Sequence, residues 1–418
     1  MKIKIKLKLK LYDSLINIIL IIGAGIPLIV GGVLDTWRTV LSIAIIVVTF
    51  LYIGTHKIKK VEKNQFLFFY ILCVFIIVLY EIIKGKNTFN YSSYETFYAL
   101  RQYIWIIMAV PLYFAIVKGK SIDKYLKTII HIVFFSLGLR TLTWFCKNFL
   151  NVTVFYNLLY EYGNSWGRDG RQRIDATALI GVLIPLLFYF YKKYREKKYL
   201  LEIVFVLFYL LMVSQTRTLF LGALVCIGSM FFFAKRTTLK KLFLQIALLL
   251  GVTLSINAGV VDYFLKKLNI TLNDGSVGYR QYEFAYYSSL LADGRWKTGL
   301  GIITSLNKNG NKLMYGNLDT QMYLDDLGIF ECFFQFGLFS IILYGVLLFY
   351  IFYVAIKCNQ VREDYFALYL IGQFFYIVIV SLPLNLFGIQ RIFSVPVILA
   401  IVCAIHNYVI KKMKGIQT

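Results

Sequence analysis

The chain has three histidines that could move protons near neutral pH, His56, His131 and His406. All three stand beside lysine-rich connections between apolar runs. Acid–base chemistry on the opposite face would therefore fall to a carboxylate. The carboxylates best placed for it close one long polar stretch, 262–328: Asp319, then the adjacent pair Asp325 and Asp326 just before Gly328. Two aspartates at a helix start have an ordinary reading as caps favoured by the helix dipole. The other reading is a general base at a membrane surface, its pKa raised by lost hydration or lowered by a nearby arginine.

Arginines supply the second kind of chemistry. Arg217 lies in the turn Ser214-Gln-Thr-Arg-Thr218, flanked by hydroxyls and set between two apolar runs. It reads either as an interfacial anchor or as an anion ligand. Arg140 falls well inside the apolar run 128–145. A charge at that depth needs a partner carboxylate or a wet, anion-binding cavity. Arg280 opens an amphipathic helix expected over 279–292, with Tyr279, Tyr282, Tyr286 and Leu290 on one face. Those rings suit a membrane interface, and equally a stack against sugar rings. Guanidinium groups bind phosphate oxygens through paired, charge-assisted hydrogen bonds, so several around one cavity would suit a pyrophosphate. The six cysteines show no CxxC spacing and read as small core residues. No HExxH, GxSxG or Walker A pattern is present, which argues against ATP hydrolysis by this chain.

The elements that must position these groups follow from composition. Of 418 residues, 59% are hydrophobic and 16% charged, and mean hydropathy is +0.69. That is the balance of an all-α integral membrane protein, in which each span takes roughly 20 apolar residues with every backbone group bonded internally. About twelve spans are expected, near 15–34, 39–55, 65–83, a fourth ending at 117, 128–145, 174–191, 200–213, 218–234, 242–261, 329–355, 365–384 and 392–410. The whole chain, 1–418, is then one membrane domain, with 262–328 inserted as a loop carrying short amphipathic helices. The first hydrophobic run is long and has no A-x-A-like cleavage site after it, so it reads as a retained span.

Charge sidedness orients the spans. The N-terminal lysine alternation, Lys57 to Lys63, Lys118 to Lys127, the basic run 192–198, Lys235 to Lys241 and Lys411 to Lys414 all fall on one side of a twelve-span topology. The positive-inside rule makes that side cytoplasmic, with both termini, and places the long loop outside. The formal net charge of +24 is thus topogenic, touching anionic lipid rather than nucleic acid.

Taken in order, these motifs resemble the O-antigen polymerase/ligase superfamily of membrane glycosyltransferases. Ser214-Gln-Thr-Arg217 opens an apolar helix, Arg280 leads to Gly299-Leu-Gly301, and Asp326-Leu-Gly328 precedes Gly337-Leu-Phe339. The ligase branch carries histidine where this chain has Asp326, which favours polymerase. The resemblance implies transfer of a growing glycan from undecaprenyl pyrophosphate to an incoming lipid-linked repeat unit, outside the plasma (inner) membrane. It implies that Arg217 and Arg280 stabilise the leaving pyrophosphate. Asp326 would act as base, with Asp325 or Asp319 the next candidates, and Arg140 and Arg173 would add to the phosphate site. No cofactor is expected, no metal ligands are assigned, and metal dependence stays open. A chain-length regulator and a flippase are the protein partners implied. Two rivals remain: a flippase for lipid-linked oligosaccharide, and a glycan ligase. The lopsided loop favours an enzyme, because transporters often show pseudo-symmetric halves.

Overall fold

The computed structural model describes residues 2–55, 64–118, 122–160, 167–168, 170–233, 275–292, 294–315 and 322–415. Its longer helices, numbered along the chain, begin with α1 (Lys2–Gly23), α2 (Leu34–Thr55), α3 (Gln65–Phe89), α4 (Ser93–Lys118) and α5 (Ile122–Phe149). They continue with α6 (Ile180–Tyr194), α7 (Lys197–Phe208), α8 (Arg217–Phe232), α9 (Gly275–Leu290) and α10 (Lys308–Tyr315). The last four are α11 (Ile329–Phe336), α12 (Phe339–Gln360), α13 (Asp364–Ser381) and α14 (Ser394–Met413). Among the described residues, seven helices are long and apolar enough to cross a membrane: α2 to α5 and α12 to α14. The 13–23 part of α1 and all of α8 are apolar but shorter. The expected ninth span, 242–261, lies outside the described residues, as do His56 and Asp319.

The packing is that of a bundle in hydrocarbon. α14 is apolar on all sides, with every residue from 394 to 405 buried, so it must be surrounded by protein. It packs on α4, which is buried to the same extent, and on α12. α13 fills the next layer against α8, α12 and α6. The outer surface instead exposes large apolar side chains, such as Phe50 at 73% and Phe349 at 72%. Water would penalise such a surface and lipid would not, which makes the protein membrane-embedded.

Four expected boundaries are corrected. The first span, expected to 34, ends at Gly23. A left-handed Gly25 and a 3-10 turn (Ile26–Ile29) then break the helix. α2 begins at Leu34, so Asp35 and Arg38 belong to its first turns rather than to a connection. The expected sixth span starts late, because 174–177 has no regular structure, 178–179 form a turn, and the backbone bonds run elsewhere. Ile174 N–H donates to Val213 O at 3.1 Å, and Asp175 O accepts from both Tyr209 and Arg140. Irregular backbone at such depth is tolerated where protein satisfies it. The expected tenth span is two helices, α11 and α12, broken at Gly337.

That break belongs to the loop seam. Gly299 and Gly337 both hold positive φ, 71° and 56°, and their backbones touch. A β-carbon on Gly299 would lie 2.2 Å from Gln335 O, and one on Gly337 2.5 Å from Gly299 N. Only glycine fits both the dihedrals and the space. Leu300 and Gly301 N–H groups then donate to Phe334 O and Gln335 O, at 2.8 and 3.0 Å, satisfying carbonyls at the end of α11. From α3, Lys84 Nζ donates to Thr298 O, Thr298 Oγ1 and Gly299 O. The loop is stitched to the bundle by backbone, not merely laid over it.

Candidate functional site

The loop helix α9 buries Glu283, Tyr287 and Leu291, a stripe spaced by four residues against a small separate core of Leu300, Met322, Leu324, Leu327 and Phe334. This corrects the expected face. Tyr282 points outward at 49% exposure, while Tyr286 and Tyr287 donate their hydroxyls to Leu313 O (2.6 Å) and Met322 O (3.0 Å). Those two rings brace the loop, and of this set Tyr282 keeps the accessible face a sugar would need.

Arg280, near the start of the same helix, reaches Asp326. Their Nη2 and Oδ1 atoms are 4.0 Å apart, with side chains 39% and 51% exposed. An exposed pair at that distance adds little stability, on the order of 0–1 kcal/mol. Asp326 sits in the 3-10 turn Leu324–Leu327, just before the left-handed Gly328, and that turn follows Tyr323. Asp325 occupies the same turn. It keeps an exposed face, yet the protein packed around it strips enough water to raise its carboxyl above the usual range. Arg391 and Arg38 oppose that rise, and Asp326 adds to it. Asp326 thus has Arg280 as its cationic neighbour, while Asp325 feels the charges of Arg391 and Arg38.

Arg38 and Arg140 line one cleft of about 580 Å³, together with Trp37, Trp105 and Gln390. Arg140 is buried, lies against Gly25 and donates to Asp175 O at 2.9 Å. Arg38 is held by Asp35 at 3.2 Å. Asp35 is fixed in turn by Arg101 at 2.6 Å and by the Tyr98 hydroxyl at 2.9 Å, with the Arg101 guanidinium 3.6 Å above the Tyr98 ring. A second cleft of about 390 Å³ shares Ala176, Thr177, Ala178 and Gln390 with the first and adds Arg391, Asp175 and Tyr376. The two clefts flank the irregular 174–179 backbone.

Arg217 is the first residue of α8, in a turn where Gln215 adopts φ 52°, rare for a residue with a side chain. Ser214 and Thr216 share a hydrogen bond between their hydroxyls. Arg173 is half-buried and precedes Ile174, whose N–H binds Val213 beside that turn. Leu219, two residues beyond Arg217, lines the second cleft. The structure therefore brings Arg280 near Asp326 and lodges Arg140 in the same cleft as Arg38. Arg217 opens α8, and Arg173 stands one residue before the Ile174 N–H that reaches Val213.

Four side chains of this site escape a reading by motif. Arg38 lies in the first turns of α2 and Arg391 in the turn before α14, and neither belongs to a motif. Glu283 is one turn from Arg280, the spacing that puts two residues on one helix face. Glu331 is buried in α11, where Gln335 donates to it at 3.1 Å. No known family model matches the chain, and no curated protein matches it.

Proposed function

We propose that this chain is a membrane glycosyltransferase that polymerises lipid-linked oligosaccharide repeat units of a bacterial surface polysaccharide, working outside the plasma membrane with both termini in the cytoplasm. The observation that carries this is the approach of Arg280 to Asp326 in a membrane bundle that also holds a cleft lined by Arg38 and Arg140. The twelve-span reading adds 242–261, α1, α6, α7 and α8 to the seven long helices, and with that count the lysine-poor side, where the long loop falls, is external.

In this reaction a hydroxyl oxygen of the incoming repeat unit attacks the anomeric carbon of the growing glycan. The bond from that carbon to the lipid pyrophosphate breaks, its electron pair leaves on the pyrophosphate, and the acceptor proton passes to the Asp326 carboxylate. Arg280 and Arg217 would offset the charge growing on the pyrophosphate, and preorganised guanidinium groups are suited to that task. Arg38 and Arg140 would hold the phosphates in the cleft, with Arg173 and Arg391 beside them. Undecaprenyl pyrophosphate is the carrier this arrangement suits, with a flippase and a chain-length regulator as partners.

One observation favours a second reading. The irregular 174–179 stretch puts non-helical backbone beside two clefts, as unwound segments do at transporter sites, which suits a flippase. A deletion strain separates the two. Single repeats transferred to the final acceptor support polymerase, repeats trapped on the inner leaflet support flippase, and full-length lipid-linked polymer supports a ligase. Arg280→Ala, Arg217→Ala and Asp326→Asn are each expected to abolish long polymer while the protein stays in the membrane. Normal chain length in all three would overturn the site.

A further inference from the structure

Glu283 is fully buried, one turn along α9 from Arg280. Its Oε1 accepts the N–H of Tyr323 at 2.7 Å, and its Oε2 has no hydrogen-bond partner among the described residues. One turn further, Tyr287 donates to Met322 O. Successive turns of one helix thus grip the two sides of one peptide group, Glu283 accepting from its N–H and Tyr287 donating to its carbonyl. The gripped segment leads directly into the Asp325–Asp326 turn, where Tyr323 O accepts the Asp326 N–H at 3.2 Å. An ordinary surface glutamate could not do this. Burying a carboxylate with one oxygen unsatisfied is expensive, and the fold accepts it where the remaining bond fixes something.

We propose that Glu283 is a positioning residue for the transfer reaction: through the Tyr323 peptide it sets Asp326 against Arg280. Resting on the transferase reading, this places the register of the base under the control of α9. The same helix carries the arginine, so one rigid element sets both partners. An amide at position 283 keeps an oxygen for the Tyr323 N–H, whereas alanine leaves that N–H without its acceptor.

The test uses the full-length protein in membranes, with Leu324→Cys as reporter, because Leu324 is buried directly beside the clamp. The unmodified chain, with its native cysteines, sets the background for a membrane-impermeant maleimide. Glu283→Ala is expected to speed labelling of the reporter by about tenfold or more, the scale on which one lost hydrogen bond acts, and to abolish long polymer. Glu283→Gln is expected to restore slow labelling and polymer together. Unchanged labelling in Glu283→Ala would overturn the clamp. Slow labelling without polymer in Glu283→Gln would also overturn it, since the charge rather than the bond would then matter. Labelling that responds while Arg280→Ala and Asp326→Asn both keep normal polymer would leave the clamp standing and remove the transferase reading instead.

Discussion

Glu283 and Asp326 show how burial divides labour between two carboxylates. Asp326 is exposed and paired with Arg280, whereas burial lifts the Glu283 carboxyl to about 7. The Tyr323 N–H and Arg280 pull it down and Asp326 pushes it up. Its folded pKa lies above the ordinary 4.5, so the folded chain binds more protons than the unfolded one between those values. Stability of the docked loop is then fully present below about pH 4.5, falls as pH rises toward 7 and levels above it. Thermal unfolding of the purified protein, followed by fluorescence of the loop residue Trp296, should show a midpoint that drops between pH 5 and 7. Glu283→Gln should flatten that trend. At Arg38, Arg38→Ala is expected to cut polymer formation sharply with normal membrane levels, measured by chain-length analysis, because the cleft loses one of its two guanidinium groups. The motif residues were visible from residue type and order alone. Glu283 and Arg38 were not, because their roles come from what is packed around them.

Helices were legible to within a few residues where apolar length alone decides them, as in α13 and α14, while α3 and α5 run up to six residues past the expected bounds. They were misread where the backbone is diverted. Hydropathy sees an unbroken run over 329–355, and only the contact of Gly337 with Gly299 shows that the chain must turn there. The irregular 174–179 stretch was hidden for the same reason: its apolar side chains look helical, while its carbonyls serve Tyr209 and Arg140. Gly299→Ala should test this seam. Besides the clash, a positive φ costs a residue with a side chain about 1–3 kcal/mol. The Leu324→Cys reporter should label faster in that background. Gly138→Ala in α5 meets nothing within 4 Å and should leave labelling unchanged, with a small gain in helix propensity. Lys84→Met removes three hydrogen bonds to the same strand and should loosen it to a lesser degree.

At the scale of the whole molecule, two ends of the bundle are fastened differently. The lysine-rich end is tied by ion pairs between neighbouring helices, Asp123 with Lys193 and Glu363 with Lys412, beside connections of a few residues. The loop end holds the clefts, the arginines and the aspartate turn. Composition and charge pattern were enough to read the membrane class and to separate these ends. They could not show the clefts, which arise from tertiary packing of α2, α4, α5 and the 389–393 connection. The orientation makes its own prediction. A cysteine at Trp296 should react with an impermeant thiol reagent in intact cells, and one at Lys414 only after the membrane is opened. The reverse pattern would turn the topology over.

The seam at Gly299 and Gly337 sets a rule for building hybrids of this chain with relatives. A segment exchanged at 262 and 328, the borders hydropathy suggests, would carry Gly299 but leave behind Gly337, α11 and Lys84. The graft would then meet a foreign backbone at a place where main chain touches main chain without room for a methyl group. Modules that travel between such proteins should run from the start of α9 through Gly337 as a single inheritance, together with the end of α3 that receives them.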